Sequence, residues 1–327
     1  MRILITGGGG MLGQMLARSL IERGGLRLAS AGSPMLREIV LLDQAFPQMP
    51  IDDARIRCVQ GQVTDRPLIE RTCAAGVDAL FHLAAVVSAG AESDFELGMR
   101  VNVDGLRATL DTCRALGSTP RVVFASSVAA FGGELPHVVL DTTAPTPQSS
   151  YGTQKVIGEL LVADMTRKGF IDGRTLRLPT IVVRPGKPNL AASGFMSNIL
   201  REPLAGEAAV CPVSADACMW ILSPQRAIEA LIHAMELPAE LWGWNRTLNA
   251  PGITVSVRQA LDALARVAGK EAAARVRFIP DPAIERIVLS WPARFEAERS
   301  GRLGFRADAD IDDIIRAHLQ LQQRAAH

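Results

Sequence analysis

One tyrosine and one lysine stand at a spacing that can support proton transfer. The 327-residue chain contains a single tyrosine, Tyr151, which opens the segment Tyr151-Gly152-Thr153-Gln154-Lys155. On a helix, residues four apart share a face, so the phenol and the ammonium would lie close together. A free tyrosine has a pKa of about 10 and is a weak base at neutral pH, but a nearby ammonium favours the phenolate. The pair therefore predicts a general base that takes a proton from an alcohol.

Two adjacent serines could supply a hydroxyl beside such a base. The apolar run Val122–Ala125 delivers Ser126 and Ser127 to its end. Ligands bind at the carboxyl edge of doubly wound sheets, where a serine hydroxyl can hydrogen-bond both the substrate oxygen and the phenol. The alternative is that the two serines only cap a turn.

A glycine-rich turn near the N-terminus predicts a dinucleotide site. The apolar run Ile3–Ile5 leads directly into Thr6–Gly13, where five of eight residues are glycine, and a helical pattern follows. Glycines permit a tight turn, close approach of the backbone to a pyrophosphate and close packing of helix on strand. The helix N-terminus adds N–H groups for the phosphates. A merely flexible turn is the alternative, but this position between a strand and a helix favours a cofactor.

The aspartate Asp43 ends the next apolar run, Ile39–Leu42. A carboxylate there can accept hydrogen bonds from the ribose hydroxyls and would repel the 2′-phosphate of NADP. Its neighbours Gln44 and Ala45 carry no cation. The spacing from the glycine turn is longer than the usual value of about 20 residues, which we attribute to an insertion at Gly25–Arg37. NAD is therefore the expected cofactor. The alternative for Asp43 is that it is a solvated aspartate at the end of a strand, with no role in cofactor binding.

These residues need a scaffold of alternating strands and helices, and the first 180 residues predict one. Short apolar runs alternate with longer segments of helical periodicity. The predicted strands are Ile3–Ile5, Ile39–Leu42, Ile56–Val59, Ala79–Leu83, Val122–Ala125 and Leu176–Leu178, and the predicted helices are Met11–Arg23, Asp65–Ala75, Phe95–Leu116 and Tyr151–Arg167. This order predicts an α/β fold with a doubly wound, parallel, Rossmann-type sheet.

Beyond Pro179 the alternation ends and a smaller C-terminal α/β substrate lobe is expected. Its predicted helices are a short one at Ser197–Leu200 and longer ones at Pro224–Met235, Val255–Val267 and Ile311–Leu321. We predict a dinucleotide-binding domain at residues 1–178, to which residues 209–249 return, and a substrate lobe at residues 179–208 and 250–327.

Composition narrows the class of partner. The formal net charge of +1 provides no bulk field toward nucleic acid or a membrane, so a small-molecule partner is expected. The five cysteines are scattered, without CxxC spacing, and the five histidines are dispersed, so we expect reduced thiols and no metal. No apolar run approaches the roughly 20 residues that span a bilayer, and none forms a signal peptide. A cytoplasmic protein is expected.

Together these segments resemble the extended short-chain dehydrogenase/reductase family over nearly the whole chain. His82–Ala85 resembles its strand-four signature, Asn102 its helix asparagine, and Ser126–Gly132 its serine segment, with Phe131 where tyrosine is usual. The resemblance implies a homodimer packed through Phe95–Leu116 and Tyr151–Arg167. It implies that Ser127, with Ser126 as the alternative, is the catalytic hydroxyl, that Tyr151 is the base, and that Lys155 binds the ribose. The implied cofactor contacts are Gly7, Gly10, Met11, Leu12, Gly13, Asp43, Gln62, Val63, Leu83, Ala84, Ala85, Asn102, Ser126, Tyr151, Lys155, Pro179 and Val182.

Departures from the family pattern bear on the substrate. Gln62 stands where members often carry aspartate, and Cys218–Gln225 stands where nucleotide-sugar epimerases carry an arginine–aspartate–phenylalanine segment. Without that arginine a sugar-nucleotide diphosphate loses a charged anchor, so a smaller substrate is expected. Val128–Gly133, Pro145–Lys155 and Thr180–Asn189 resemble members that use NAD to oxidise a four-carbon sugar acid at carbon 2 to the 2-oxo acid.

A sugar acid brings a carboxylate that must be bound. Arg184 is the preferred anchor because a guanidinium clamps a carboxylate bidentately, and Lys187 is the second candidate. Asn189, Ser193 and Asn198 offer donors for hydroxyls, beside Ser127 and Tyr151 at the reacting carbon. The alternative is that Arg184 pairs with a structural carboxylate.

Three other functions stay open at this point. Two are another small-substrate dehydrogenase of the family and a nucleotide-sugar epimerase. The third is a non-catalytic NAD-sensing protein. The complete Ser127/Tyr151/Lys155 set argues against a sensor, which has no need of a proton-abstracting phenol.

Overall fold

The computed structural model describes residues 1–28, 35–47, 51–186 and 193–325. Contacts divide the chain into two compact units. The first consists of Met1–Ala130, Ser149–Arg177 and Ile228–Leu248, and the second of Phe131–Gln148, Leu178–Ala227 and Asn249–His327. These units differ from the predicted lobes at Phe131–Gln148 and residues 209–227, and the roles of the two lobes stay predictions.

The strands and helices of the described ranges are numbered in chain order. The strands are β1 (Arg2–Thr6), β2 (Glu38–Asp43), β3 (Ile56–Gln60), β4 (Ala79–His82), β5 (Arg121–Ser127), β6 (Asp172–Leu178), β7 (Thr180–Ile181), β8 (Ala209–Cys211), β9 (Cys218–Leu222), β10 (Thr247–Asn249), β11 (Ile253–Ser256) and β12 (Val276–Phe278). The helices are α1 (Met11–Glu22), α2 (Arg66–Cys73), α3 (Ser88–Ser93), α4 (Phe95–Gly98), α5 (Gly105–Ala115), α6 (Ser150–Arg167), α7 (Gly194–Leu204), α8 (Pro224–Glu236), α9 (Ala239–Trp242), α10 (Val257–Ala268), α11 (Lys270–Ala273), α12 (Pro282–Leu289), α13 (Glu298–Arg302) and α14 (Ile311–Ala325). A π-helical turn spans Met99–Asp104, and a 3₁₀ turn spans Val128–Ala130.

Among the described residues, seven strands form a sheet in the order β10-β6-β5-β4-β1-β2-β3. The pairs β1–β2, β2–β3, β1–β4 and β4–β5 are parallel, which confirms the doubly wound prediction. Thr6 lies opposite both Leu42 and His82, and His82 lies opposite Phe124, so four strands end at one edge. This edge positions the candidate residues.

Burial explains why the central strands were readable from the sequence. β1 and β2 are buried at nearly every position, as expected for strands covered by helices on both faces, and therefore appear as unbroken apolar runs. One apolar cluster of the first unit includes Leu4, Val40, Leu80, Phe124 and Val162, which join the sheet to α6. These apolar contacts hold α6 against β5.

The structure corrects several predicted boundaries. The helix predicted at Phe95–Leu116 is present as a continuous helical segment over Phe95–Ala115, but its middle is a π-helical turn between α4 and α5. The helix predicted from Val255 begins at Val257, because Ser256 forms a capping box with Gln259 at the end of β11. The small sheets β11-β9-β7 and β12-β8 were not predicted, since strands of two to five residues depend on partners distant in sequence.

Candidate active site

The glycine turn after β1 is built for close backbone contact. Gly7 has φ +74°, and a Cβ atom there would lie 2.7 Å from the backbone nitrogen of Ala84. A Cβ on Gly8 would lie 2.7 Å from Leu41 Cβ, and a Cβ on Gly13 would lie 2.7 Å from Gly8 Cα. Gly10 begins α1 without a side-chain cap, which leaves N–H groups of the first turn, including those of Met11 and Leu12, for a ligand. The turn fits a dinucleotide pyrophosphate.

Asp43 lies beside that turn at the end of β2. Its Oδ2 accepts a hydrogen bond from the Gly9 N–H at 2.9 Å, and the side chain is half-buried. The contact holds the carboxylate next to the phosphate-binding loop, where an adenosine ribose would extend from the pyrophosphate. This geometry supports the predicted ribose contact.

The end of β4 is tied to the same turn by a chain of hydrogen bonds. The Ala84 N–H donates to Thr6 Oγ1 at 3.4 Å, and Thr6 Oγ1 lies 3.0 Å from His82 Nδ1. The Thr6 hydroxyl can accept from Ala84 and also share a hydrogen bond with Nδ1, in which the tautomer of the imidazole sets which group donates. Burial, with a smaller contribution from the charge of Lys155, lowers the pKa of His82 to about 3. His82 is therefore a neutral support for Leu83–Ala85.

Asn102 clamps the loop that follows those residues. It lies in the π-helical turn, is 3% exposed, and accepts from the Val86 N–H at 2.8 Å while donating to the Val86 carbonyl at 3.1 Å. It also donates to Gln154 Oε1 at 2.7 Å. A π-helical turn often marks a functional site. Here the π-helical turn places the side-chain amide of Asn102 so that it hydrogen-bonds both the loop after β4 and helix α6.

Tyr151 and Lys155 lie at the start of α6 as predicted. Ser149 caps the helix by accepting from the Gly152 N–H at 3.1 Å, so α6 begins at Ser150 and Tyr151 lies in its first turn. Lys155 Nζ lies 5.5 Å from the Tyr151 ring centroid and donates to the Ala125 carbonyl at 2.8 Å. Burial lowers the pKa of Lys155 to about 8, although the charge of Glu159 opposes this shift.

The two serines at the end of β5 face different surroundings. Ser126 is 3% exposed, and its hydroxyl donates to Glu159 Oε1 at 2.5 Å. Ser127 is half-buried, and its Oγ accepts from the Ala129 N–H at 3.1 Å. The Ser126 hydroxyl is thus held by a buried carboxylate, whereas Ser127 keeps its own proton for another acceptor. The arrangement supports Ser127 as the catalytic hydroxyl.

Gln62 and Val63, the remaining candidates of the first unit, follow β3. Gln62 is exposed and its carbonyl accepts from the Asp65 N–H at 3.0 Å, while Val63 is buried. A Cβ on Gly105 would lie 2.6 Å from Val63 Cγ1, so that glycine permits the close approach of α5. Their cofactor contacts stay predictions.

Several predicted substrate residues come together in the second unit. Arg184 is half-buried; its Nε donates to the Ile181 carbonyl at 3.0 Å and its Nη2 donates to Ser193 Oγ at 2.9 Å. Arg201 donates through Nη1 to the Arg184 carbonyl at 2.8 Å and through Nη2 to Asn198 Oδ1 at 2.9 Å. The cluster contains two guanidinium groups, the side chains of Ser193 and Asn198, and the carboxylate of Glu202, which accepts from Arg201 Nη2 at 2.5 Å.

Four further site residues were predicted in this part of the chain, and the structure describes two of them. Pro179 and Val182 are buried in the second unit, and the Val182 N–H donates to the Leu222 carbonyl at 2.9 Å. Their cofactor contacts stay predictions. Lys187 and Asn189 lie outside the described residues.

Sequence reasoning missed the polar residues that support the site from α6 and β6. Gln154, Glu159 and Arg177 are 1%, 4% and 8% exposed. Two signals were present: Glu159 follows Lys155 by one helical turn, and Arg177 interrupts the apolar run Leu176–Leu178. A charged residue within a buried strand is rare unless it is paired, so its partner could have been sought on the neighbouring helix.

Two features are absent from the ranges that the structure describes. No helix there is long and apolar enough to cross a membrane. Nor do three His, Cys, Asp or Glu side chains cluster anywhere in those ranges as a metal site would require.

Comparison with known proteins extends the similarity over nearly the whole chain. Residues 3–239 match the model of the NAD dependent epimerase/dehydratase family. The chain is 53% identical over 321 residues to a D-erythronate dehydrogenase of Cupriavidus necator, which covers 98% of both chains. It is 43% identical to a D-erythronate dehydrogenase of Haemophilus influenzae, covering 98% of this chain and 99% of that one. A solved structure described as a nucleoside-diphosphate-sugar epimerase from Agrobacterium tumefaciens superimposes with TM-score 0.92 at 42% identity, covering 98% and 94% of the two chains.

Proposed function

The chain belongs to the NAD dependent epimerase/dehydratase family, and from that premise we propose that it is a dehydrogenase that oxidises D-erythronate with NAD. The hydroxyl at carbon 2 becomes a carbonyl, which gives 2-oxo-D-erythronate. The observation that carries the enzymatic part is the grouping of Tyr151, Lys155 and Ser127 where α6 meets the end of β5. Two relatives named for this activity, 53% and 43% identical over nearly full length, support the substrate.

Oxidation of the substrate alcohol requires the removal of a proton and of a hydride, and each residue of the site has a separate role in these transfers. When bound, NAD supplies the acceptor for the hydride that leaves carbon 2. Tyr151 removes the proton from the hydroxyl at carbon 2 as the carbonyl forms. Lys155 favours the phenolate through its charge, and its place beside the phenol suits contact with the ribose. Ser127 donates its hydroxyl proton to the reacting oxygen and keeps it aligned with the phenol.

NAD is proposed over NADP because of the charge beside the glycine turn. Asp43 is fixed by the Gly9 N–H, and the next two residues, Gln44 and Ala45, are uncharged. A 2′-phosphate would meet a carboxylate without a compensating cation in that loop. The family description, which names NAD, agrees with this choice.

The substrate carboxylate is assigned to Arg184. In the second unit the Arg184 guanidinium donates to Ser193 Oγ. Arg201, which also pairs with Glu202, contacts the Arg184 carbonyl and Asn198. The Arg184 guanidinium and these polar side chains suit an anion with several hydroxyls. We therefore propose that the Arg184 cluster of the second unit binds the sugar acid and that the first unit binds the dinucleotide.

A homodimer is proposed through the helices α4, α5 and α6. Phe95 on α4 is 55% exposed and Leu160 on α6 is 66% exposed, so both helices carry a large apolar side chain that a partner could cover. A two-fold arrangement would let the same surface cover itself. Sedimentation of wild type and of Leu160→Asp would test the assignment, with a dimer and a monomer expected.

NADH formation measured against a panel of substrates tests the function. The panel is D-erythronate, other four-carbon sugar acids, 3-hydroxy acids, threonine and UDP-hexoses. Net NADH formation with D-erythronate is expected, and Tyr151→Phe should lower turnover by about 10²–10⁴-fold while leaving NAD binding in place. An epimerase would instead convert a UDP-hexose without net NADH, because it regenerates its cofactor in each cycle. Binding of NAD without turnover of any substrate would indicate a sensor.

Arg184→Ala tests the carboxylate anchor separately. The Michaelis constant for D-erythronate should rise roughly tenfold to hundredfold, the effect of losing a charged hydrogen bond of about 1.5–3 kcal/mol. The turnover number should change little, because the carboxylate stays charged throughout the reaction. Arg184→Lys should recover part of the loss. An unchanged Michaelis constant in a folded Arg184→Ala enzyme would move the anchor to Lys187.

A further inference from the structure

Glu159 is a buried carboxylate that the proposed chemistry does not use. It lies on α6 one helical turn beyond Lys155 and is 4% exposed. Its Oε1 accepts from Ser126 Oγ at 2.5 Å and from Arg177 Nε at 2.9 Å, and its Oε2 accepts from Arg177 Nη2 at 2.6 Å. Three donor atoms, one of Ser126 and two of Arg177, therefore bind the single carboxylate of Glu159.

These contacts join α6 to the end of β5 at two successive residues. Lys155 Nζ donates to the carbonyl of Ala125, and Glu159 accepts from the hydroxyl of Ser126. Successive side chains of a strand point to opposite faces, so holding Ser126 against α6 sets the direction of Ser127. The carboxylate thereby helps to anchor the end of β5 from which Ser127 projects.

Glu159 also acts on the charge of Lys155. Burial lowers the pKa of Lys155 to about 8, and Glu159 is the carboxylate whose charge opposes that shift. The other groups near the ammonium are Tyr151 on α6, His82 on β4 and, behind Glu159, Arg177 on β6. His82 is neutral above pH 3, since burial lowers its pKa to about 3, and the charge of Arg177 offsets part of that of Glu159.

We propose that Glu159 is a positioning residue of the active site, which orients Ser127 through Ser126 and holds a negative charge one helical turn from Lys155. This inference rests on the proposed dehydrogenase function. A buried carboxylate–guanidinium pair could instead serve only to join α6 to β6. The two roles differ in what happens to the pH dependence of turnover when the negative charge is removed.

Glu159→Gln separates charge from shape, because glutamine has nearly the same volume and keeps an oxygen acceptor for Ser126. The turnover of wild type should decline as pH rises through about 8, where the Lys155 ammonium is lost. In Glu159→Gln this alkaline decline should move about one pH unit lower, the low end of the effect of a nearby opposite charge because Arg177 remains. A purely structural role predicts a lower melting temperature with the decline at its wild-type pH.

Ser126→Ala is the matched variant, since it removes the hydrogen bond and leaves both charges in place. Its alkaline decline should stay where the wild type has it, while the turnover number falls about tenfold because Ser127 loses its orientation. The Michaelis constant should change less than the turnover number. An unchanged turnover number would overturn the orienting role of the Glu159–Ser126 contact.

Glu159→Gln leaves Arg177 buried without its carboxylate, so the single variant could fail to fold. The double variant Glu159→Gln/Arg177→Met replaces the whole pair with neutral side chains, a change that proteins often tolerate. Its alkaline decline should also lie below that of wild type, and an unmoved decline in a folded double variant overturns the charge role. Failure of wild type to form NADH from any substrate would contradict the proposed function instead.

Discussion

Replacing Lys155 with methionine should weaken the base itself. Lys155 Nζ lies 5.5 Å from the Tyr151 ring centroid and is buried, and methionine fills similar space without the charge. If the phenolate charge is placed at the ring centroid, two unit charges at that distance attract by about 3 kcal/mol at an effective dielectric constant of about 20. Loss of that attraction lowers the ratio of phenolate to phenol at a given pH roughly 100-fold.

The single tyrosine makes this measurable without a background from other phenols. Ultraviolet absorbance of the phenolate, followed against pH, reports Tyr151, and Tyr151→Phe supplies the blank. The two groups titrate as a coupled pair in wild type, so the midpoint belongs to the pair. In Lys155→Met the phenolate should appear at distinctly higher pH, and turnover near neutral pH should fall about 10²–10⁴-fold.

Coincident titration curves for wild type and a folded Lys155→Met enzyme would refute the reasoning. The ammonium would then not activate the phenol, and the contribution of Lys155 would be limited to its contact with the Ala125 carbonyl and to ribose binding.

Three further outcomes are expected. Asp43→Ala should narrow the preference for NAD over NADP measured by calorimetry, since the carboxylate held by the Gly9 N–H no longer repels a 2′-phosphate. Gly13→Ala should weaken NAD binding about tenfold or more, because a Cβ there meets Gly8 Cα at 2.7 Å, whereas Gly301→Ala, with nothing within 4 Å, should not. The stabilising contribution of neutral His82, whose pKa falls from 6.5 to about 3, is complete above pH 6.5 and is lost as pH falls toward 3. Denaturant unfolding at pH 5 should therefore show about 2 kcal/mol less stability than at neutral pH from this group, a loss absent in His82→Gln. Equal NADP affinity in wild type, tight NAD binding by Gly13→Ala, or equal pH dependence in His82→Gln would contradict the respective argument.

Local patterns were sufficient to predict the N-terminal strand, glycine turn and helix. The strand, glycine turn and helix at Ile3–Arg23 follow from residues adjacent in sequence, and burial on both faces leaves β1 and β2 as unbroken apolar runs. Tyr151 and Lys155 are four residues apart, so a single helical turn is enough to place both side chains on the same face. The doubly wound order then follows from alternation of these elements.

The tertiary structure decided what depends on residues far apart in the chain. The hydrogen bonds that distinguish Ser126 from Ser127 depend on Glu159, 33 residues from Ser126, and Glu159 is in turn held by Arg177. The π-helical turn at Met99–Asp104 follows from the fit of Asn102 to both Val86 and Gln154 rather than from any propensity of its own residues.

The short sheets of the second unit belong to the same class. β7, β9 and β11 are two to five residues long and pair across 30 residues or more of intervening chain, so no local period marks them. The sequence by itself therefore determined the glycine turn and the spacing of Tyr151 and Lys155, because each lies within a single element. Only the tertiary structure decided the different hydrogen bonds of Ser126 and Ser127, the buried Glu159–Arg177 pair and the Arg184 cluster, because contacts between separate elements orient those side chains.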